Sequence, residues 1–164
     1  MDKEQIEACR RRAIGMLRAY NDNKVQIGML QSQIKEISSR TDVGNMAVTY
    51  DQPAGGQTNK ASSTVETVLI SKEQQIEQLR NRLAMLQGQV ERIDIALSNM
   101  PYTQRMLLRL KYIDQRYWHD VADQIGYDVS YVKKELKQSA VDMLTGYLFP
   151  GLCMVNLFEL RGDA

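Results

Sequence analysis

Two long stretches of the chain repeat apolar residues at heptad spacing. From Ile6 onward one seam takes Ile6, Ala13, Tyr20, Ile27 and Ile34, and the other takes Cys9, Met16, Asn23, Leu30 and Ile37. Spacing of this kind keeps one stripe of a helix facing a partner, so it predicts a long amphipathic helix at the amino end. Asn23 is the one polar residue on the seam, where a buried amide sets register between helices at some cost in stability. A second heptad series begins near Ile76 and continues through Leu79, Leu83, Leu86, Val90, Ile93 and Leu97 to Met100. Glu77, Arg80, Arg82, Gln89, Glu91 and Arg92 fill the intervening positions, as a solvated helix face requires. Neither stripe can be buried alone, so the helices are expected to fold back as an antiparallel hairpin or to pair with a second copy as a homodimer.

The segment "RTDVGNMAVTYDQPAGGQTNKASS" interrupts the pattern with Gly44, Pro53, Gly55 and Gly56 among Ser, Thr, Asn and Asp. These residues favour turns, and the segment reads as a long connector over residues 41–64. Pro101 fits the first turn of a helix and not its interior, which places a boundary at the end of the second heptad helix. Beyond it, "YTQRMLLRLKYID" turns Met106, Leu107, Leu110 and Ile113 to one side, with Arg105 and Arg109 a turn apart. The expected organisation is a coiled-coil helical hairpin over 1–100, a small helical domain over 101–146, and an apolar tail over 147–164. The tail, "GYLFPGLCMVNLFEL", is too apolar to hang free and is expected to pack back or to form an interface.

The most informative stretch is "RYWHDVADQIGYDVSYVKKELKQ". Val121, Ala122 and Ile125, then Gly126 and Val132, have the spacing of a helix-turn-helix. A small alanine lets the two helices cross closely, glycine permits the turn, and the apolar positions fix one helix on the other. Asp128 is placed to cap the second helix, expected to run from Val129 to about Leu144 with Val132, Leu136 and Ala140 inward. That leaves Ser130, Tyr131, Lys133, Lys134, Lys137 and Gln138 as candidate DNA-contacting residues, of types that bond phosphates and base edges. Arg105 and Arg109, with Lys111, are expected nearer the phosphate backbone. Spacing alone fits equally a small helical bundle whose lysines are merely solvated.

Composition narrows the picture. Only 7% of residues are aromatic, and an all-α fold is expected from the abundance of Gln, Met, Leu and charged residues at helical spacing. The formal net charge is +1, so no global field draws the molecule onto a polyanion and any nucleic-acid surface must be local. Met1 to Arg40 carries eight Lys or Arg against five Asp or Glu, including the run Arg10, Arg11 and Arg12, which reads first as a solvated helix face.

The segment "LLRLKYIDQRYWHDVADQIGYDVSYVKKELKQSAVDML" resembles region four of bacterial sigma factors, and more closely the sigma-like helix-turn-helix of phage regulators of the RinA and ArpU type. The likeness extends to "VTYDQPAGG", to "ISKEQQIEQLRNRLAMLQGQVERIDIAL", to Trp118 and to the Gly126, Tyr127, Asp128 turn. Glu135 stands where that group usually has an apolar residue, and Leu136 takes the inward position. The resemblance implies a sequence-specific regulator of phage or prophage genes that binds double-stranded DNA in the host cytoplasm, with RNA polymerase as a further partner. The main alternative is a DNA-packaging subunit of the small-terminase type, which joins the same two modules and assembles into rings.

Enzymatic chemistry is not expected. The single histidine, His119, has no second histidine or cysteine at ligand spacing, and Cys9 and Cys153 form no C-x-x-C pair. No phosphate-binding loop or nucleophile elbow occurs, so no cofactor or metal is expected. No apolar run reaches membrane-spanning length.

Overall fold

The computed structural model describes residues 3–46 and 59–151, and side chains over 3–40 and 70–151. These residues are helical throughout apart from short turns, and no strand occurs among them. Helix α1 covers Lys3–Arg18, α2 Tyr20–Met46, α3 Asn59–Ser98, α4 Tyr102–Leu108, α5 Trp118–Ile125, α6 Val129–Tyr131 and α7 Lys137–Leu148. Two wider, π-helical turns intervene: Arg109–Ile113 continues α4, and Val132–Leu136 joins α6 to α7 into one rod. The helix holding Lys133 and Lys134 therefore runs past Leu144 to Leu148.

Helical structure also enters the stretch read as a connector. Helix α2 continues to Met46 and α3 begins at Asn59, leaving residues 47–58 outside the described part. The physical reason is that Thr41 to Met46 contains no proline, and extending a formed helix costs far less than starting one.

Contacts divide the chain into two compact units, residues up to Asn23 with those from Gly88 onward, and Lys24–Gln87. In the first unit, Ala13 and Leu17 of α1, Ile93 of α3, Leu107 and Leu108 of α4, Val121 of α5, and Val132, Ala140 and Leu144 of the rod are all fully buried in one cluster. The amino-terminal helix is thus part of the core of the carboxyl-terminal helices. Leu17 lies off both heptad seams, and its burial follows from this packing and not from a coiled coil. The chain passes from α1 to α2 through Ala19, whose N–H reaches the Gly15 carbonyl at 3.1 Å and whose carbonyl accepts from Asn23 N–H at 2.8 Å.

The start of α2 and the end of α3 also meet in this unit. The Tyr20 hydroxyl donates to Asp94 Oδ1 at 2.6 Å, and Asn23, 9% exposed, donates to Gln89 Oε1 at 3.4 Å. The later residue on one helix pairs with the earlier one on the other, so these two segments run antiparallel. Partial burial and the bond to Asp94 push the Tyr20 phenol up to about 12. Leu148 and Phe149, the first apolar residues of the tail, pack against the edge of the core; the tail from Leu152 lies outside the described residues.

In the second unit the seam residues Leu30 and Leu86 are buried, with Ile27, Ile34, Leu79 and Leu83 half-buried. Arg82 Nη2 donates to Gln26 Oε1 at 3.4 Å. No helix of the described residues is long and apolar enough to cross a membrane.

Leu17→Ala is expected to lower stability by about 2–5 kcal/mol, the cost of truncating a fully buried leucine. Val25→Ala, at a side chain 60% exposed, is expected to change it by less than about 0.5 kcal/mol. Urea unfolding followed by circular dichroism measures both, and equally small losses would remove α1 from the core.

Candidate nucleic-acid interface

The turn between α5 and α6 is built from three residues with separate tasks. Gly126 adopts φ +80°, the left-handed conformation that a side chain disfavours, and its N–H closes α5 onto the Ala122 carbonyl at 2.8 Å. Tyr127 N–H bonds the same carbonyl at 3.2 Å. Asp128 then caps α6, its Oδ1 accepting from the N–H groups of Ser130 at 2.8 Å and Tyr131 at 3.3 Å. Those two backbone bonds, Ser130 first, hold the Asp128 carboxyl below its ordinary value of 3.8. Beneath the turn, Val121, Ala122 and Val132 are buried against one another's elements, as close crossing of two helices requires.

Upstream, α4 ends in the wide turn at Arg109–Ile113, where Asp114 N–H bonds the Arg109 carbonyl at 2.9 Å. Gln115 follows with φ +55°, the left-handed region again, and reverses the chain into α5. Lys111 straps this reversal: its Nζ donates to the Arg116 carbonyl at 2.9 Å and lies 4.9 Å from the centre of the Trp118 ring. Its half-buried side chain is thus tied to the reversal by one of its three donors.

The candidate residues separate into groups. Ser130, Tyr131, Lys133 and Lys134 are exposed together on the first turns of the rod. Lys137 is half-buried. Gln138 is exposed, yet its Nε2 donates to both oxygens of Asp142 at 3.2 Å, so its amide already has a partner. Arg105 is half-buried on α4, its guanidinium 5.9 Å from the centre of the Tyr102 ring. Arg109 is exposed and lies close enough to Tyr20 to favour its phenolate. Helix α4 meets the rod through its neighbour Gln104, whose Nε2 donates to Ser139 Oγ at 2.9 Å.

Two features escaped the sequence. Arg10 is not a solvated member of a basic run: with 22% of its side chain exposed, it donates through Nε to Asp142 at 2.6 Å and through Nη1 to Glu7 at 3.1 Å. Arg12 of the same run lies 5.4 Å from the centre of the Phe149 ring. The second is Tyr127, 52% exposed, whose ring lies 5.5 Å from that of Tyr131. Tyr127 lies in the turn before α6, so no helical spacing rule announced the pair; the Arg10 to Asp142 pairing joins residues 132 apart and left no local sign. Among the described residues no group of three or more His, Cys, Asp or Glu could hold a metal ion.

The chain belongs to the family described as a protein of unknown function (DUF722), whose model matches residues 13–144. The match begins and ends on two fully buried residues of the same core, Ala13 and Leu144. No curated protein and no solved structure matches the chain.

Asp128→Asn keeps a capping oxygen and removes the charge. Because the folded carboxyl is depressed, its contribution to stability is present above 3.8 and is lost as pH falls through the folded value. Melting temperatures followed from neutral to strongly acidic pH are expected to show wild type ahead of the variant at neutral pH and level with it in acid. A constant gap would assign the cap no electrostatic part.

Proposed function

We propose that this protein is a sequence-specific DNA-binding transcriptional regulator of phage or prophage genes. In this reading α2 and α3 pair as an antiparallel helical hairpin, and α4 to α7 form a helix-turn-helix module like region four of sigma factors. The rod from Val129 to Leu148 is the reading helix.

The observation that carries the proposal is the joint placement of a left-handed Gly126, the Asp128 cap and the exposed set Ser130, Tyr131, Lys133 and Lys134. A glycine turn over a small alanine aims the first turns of the rod outward, and the polar and cationic residues there match the acceptors of the major groove and its flanking phosphates. The bonds from Gln138 to Asp142 engage its amide and favour contact through those first turns. Helix α5 exposes Asp120 and Asp123, so it adds no cationic surface of its own.

Electrophoretic shift assays on intergenic DNA from around the chain's own gene test the reading, with wild type set against the double variant Lys133→Ala/Lys134→Ala. The variant is expected to bind every sequence more weakly, and the slope of log affinity against log salt is expected to fall by about two. If no fragment binds more tightly than random duplex at physiological salt, the proposal fails.

A further inference from the structure

Tyr127 and Tyr131 sit at the tip of the module, one in the turn and one at the end of α6, with ring centres 5.5 Å apart and planes tilted by 39°. They are 52% and 44% exposed. The backbone under both is fixed: Tyr127 N–H bonds the Ala122 carbonyl, and Tyr131 N–H bonds the Asp128 carboxylate. Two rings leaning on each other over a fixed backbone have already lost much of their rotational freedom, so little more is lost on binding. The fold gains no core from them, since the buried cluster below is closed by Val121, Ala122 and Val132.

Their surroundings indicate what they face. Ser130 lies between them in sequence, and Lys133 and Lys134 follow on the next turn, all exposed. The surface thus carries two exposed rings, hydroxyls and two lysines; the exposed Asp128 carboxylate is turned onto the Ser130 and Tyr131 N–H groups, and Glu135 is exposed next to the lysines. A duplex offers the complement of each part: phosphates for the lysines, hydrogen-bonding base edges for the hydroxyls, and one apolar group in the major groove, the C5 methyl of thymine.

We infer that Tyr127 and Tyr131 form an aromatic clamp for the thymine methyl, making a thymine-containing step the specificity-determining part of the site, with Lys133 and Lys134 on the neighbouring phosphates. This rests on the DNA-reading proposal above. It assigns Tyr127 a role that helix-turn-helix spacing does not give it.

Duplexes enriched on the protein from a randomised pool provide the probe. Each thymine is replaced in turn by deoxyuridine, which removes the methyl alone, and affinity is read by fluorescence anisotropy. At one or two positions binding is expected to weaken about fourfold, the value of burying one methyl group. Tyr127→Ala and Tyr131→Ala should bind thymine and deoxyuridine duplexes equally, whereas Tyr131→Phe, which keeps the ring, should retain the difference. Indifference of wild type to every deoxyuridine overturns the clamp and leaves the DNA-reading proposal standing, and the wild-type comparison decides this without any variant. Persistence of the methyl preference in both alanine variants also overturns the clamp. Failure of the pool to enrich overturns clamp and DNA reading together.

Discussion

The packing of α1 into the core of the carboxyl-terminal helices is the contact on which the rest of the first unit depends. Helix α5, and α4 even with its continuation to Ile113, are no longer than the length at which an isolated helix becomes marginal in water, so they persist by burying apolar surface against neighbours. Ala13 and Leu17 complete that surface with no exposure of their own. Arg10 ties the same helix to Asp142 on the rod, a charged hydrogen bond of a kind worth about 1.5–3 kcal/mol when partly shielded from water. The direction of the rod is therefore set by a helix from the opposite end of the sequence. The Asp142 carboxylate also receives Gln138, so a residue beside the exposed turns shares one acceptor with the amino-terminal helix.

Parts of this were legible in the sequence because local rules decide them. Heptad spacing found the burial of Asn23, Leu30, Leu86, Ile93 and Leu97, and Gly126 and Asp128 were recognisable because a left-handed turn and a helix cap each demand particular residue types. Other parts were not. Leu17 breaks the heptad, and its burial depends on helices that lie far along the chain. Arg10 looked like one of three equivalent arginines until Asp142 was placed beside it. The contacts of Lys111 with the Arg116 carbonyl and the Trp118 ring depend on the reversal at Gln115, whose left-handed backbone no residue type in that stretch announced.

The wide turn at Val132–Leu136 accounts for the position of Glu135. Residues four apart on a regular helix drift by about 40° per step, so Val132, Leu136, Ala140 and Leu144 would spread over about 120°, the full width of an apolar stripe. A turn holding one extra residue sets the rod back by most of that angle. All four are buried, and Glu135 is left exposed beside Lys133 and Lys134. No residue type marks such a turn, which is why the sequence showed only an acid in an unexpected place.

The same geometry limits how the exposed turns could hold a polyanion. With Lys137 half-buried, Lys111 tied to the reversal, and Glu135, Asp120 and Asp123 all exposed on the module, the exposed cations on the first turns of the rod are the two adjacent lysines, Lys133 and Lys134. Counterion release from so few contacts gives little affinity at physiological salt. In the proposed DNA-reading role, discrimination by this surface comes from short-range contacts, which depend on shape and not on net charge. The side chains able to make them are the ones whose backbone the Gly126 turn and the Asp128 cap already hold in place.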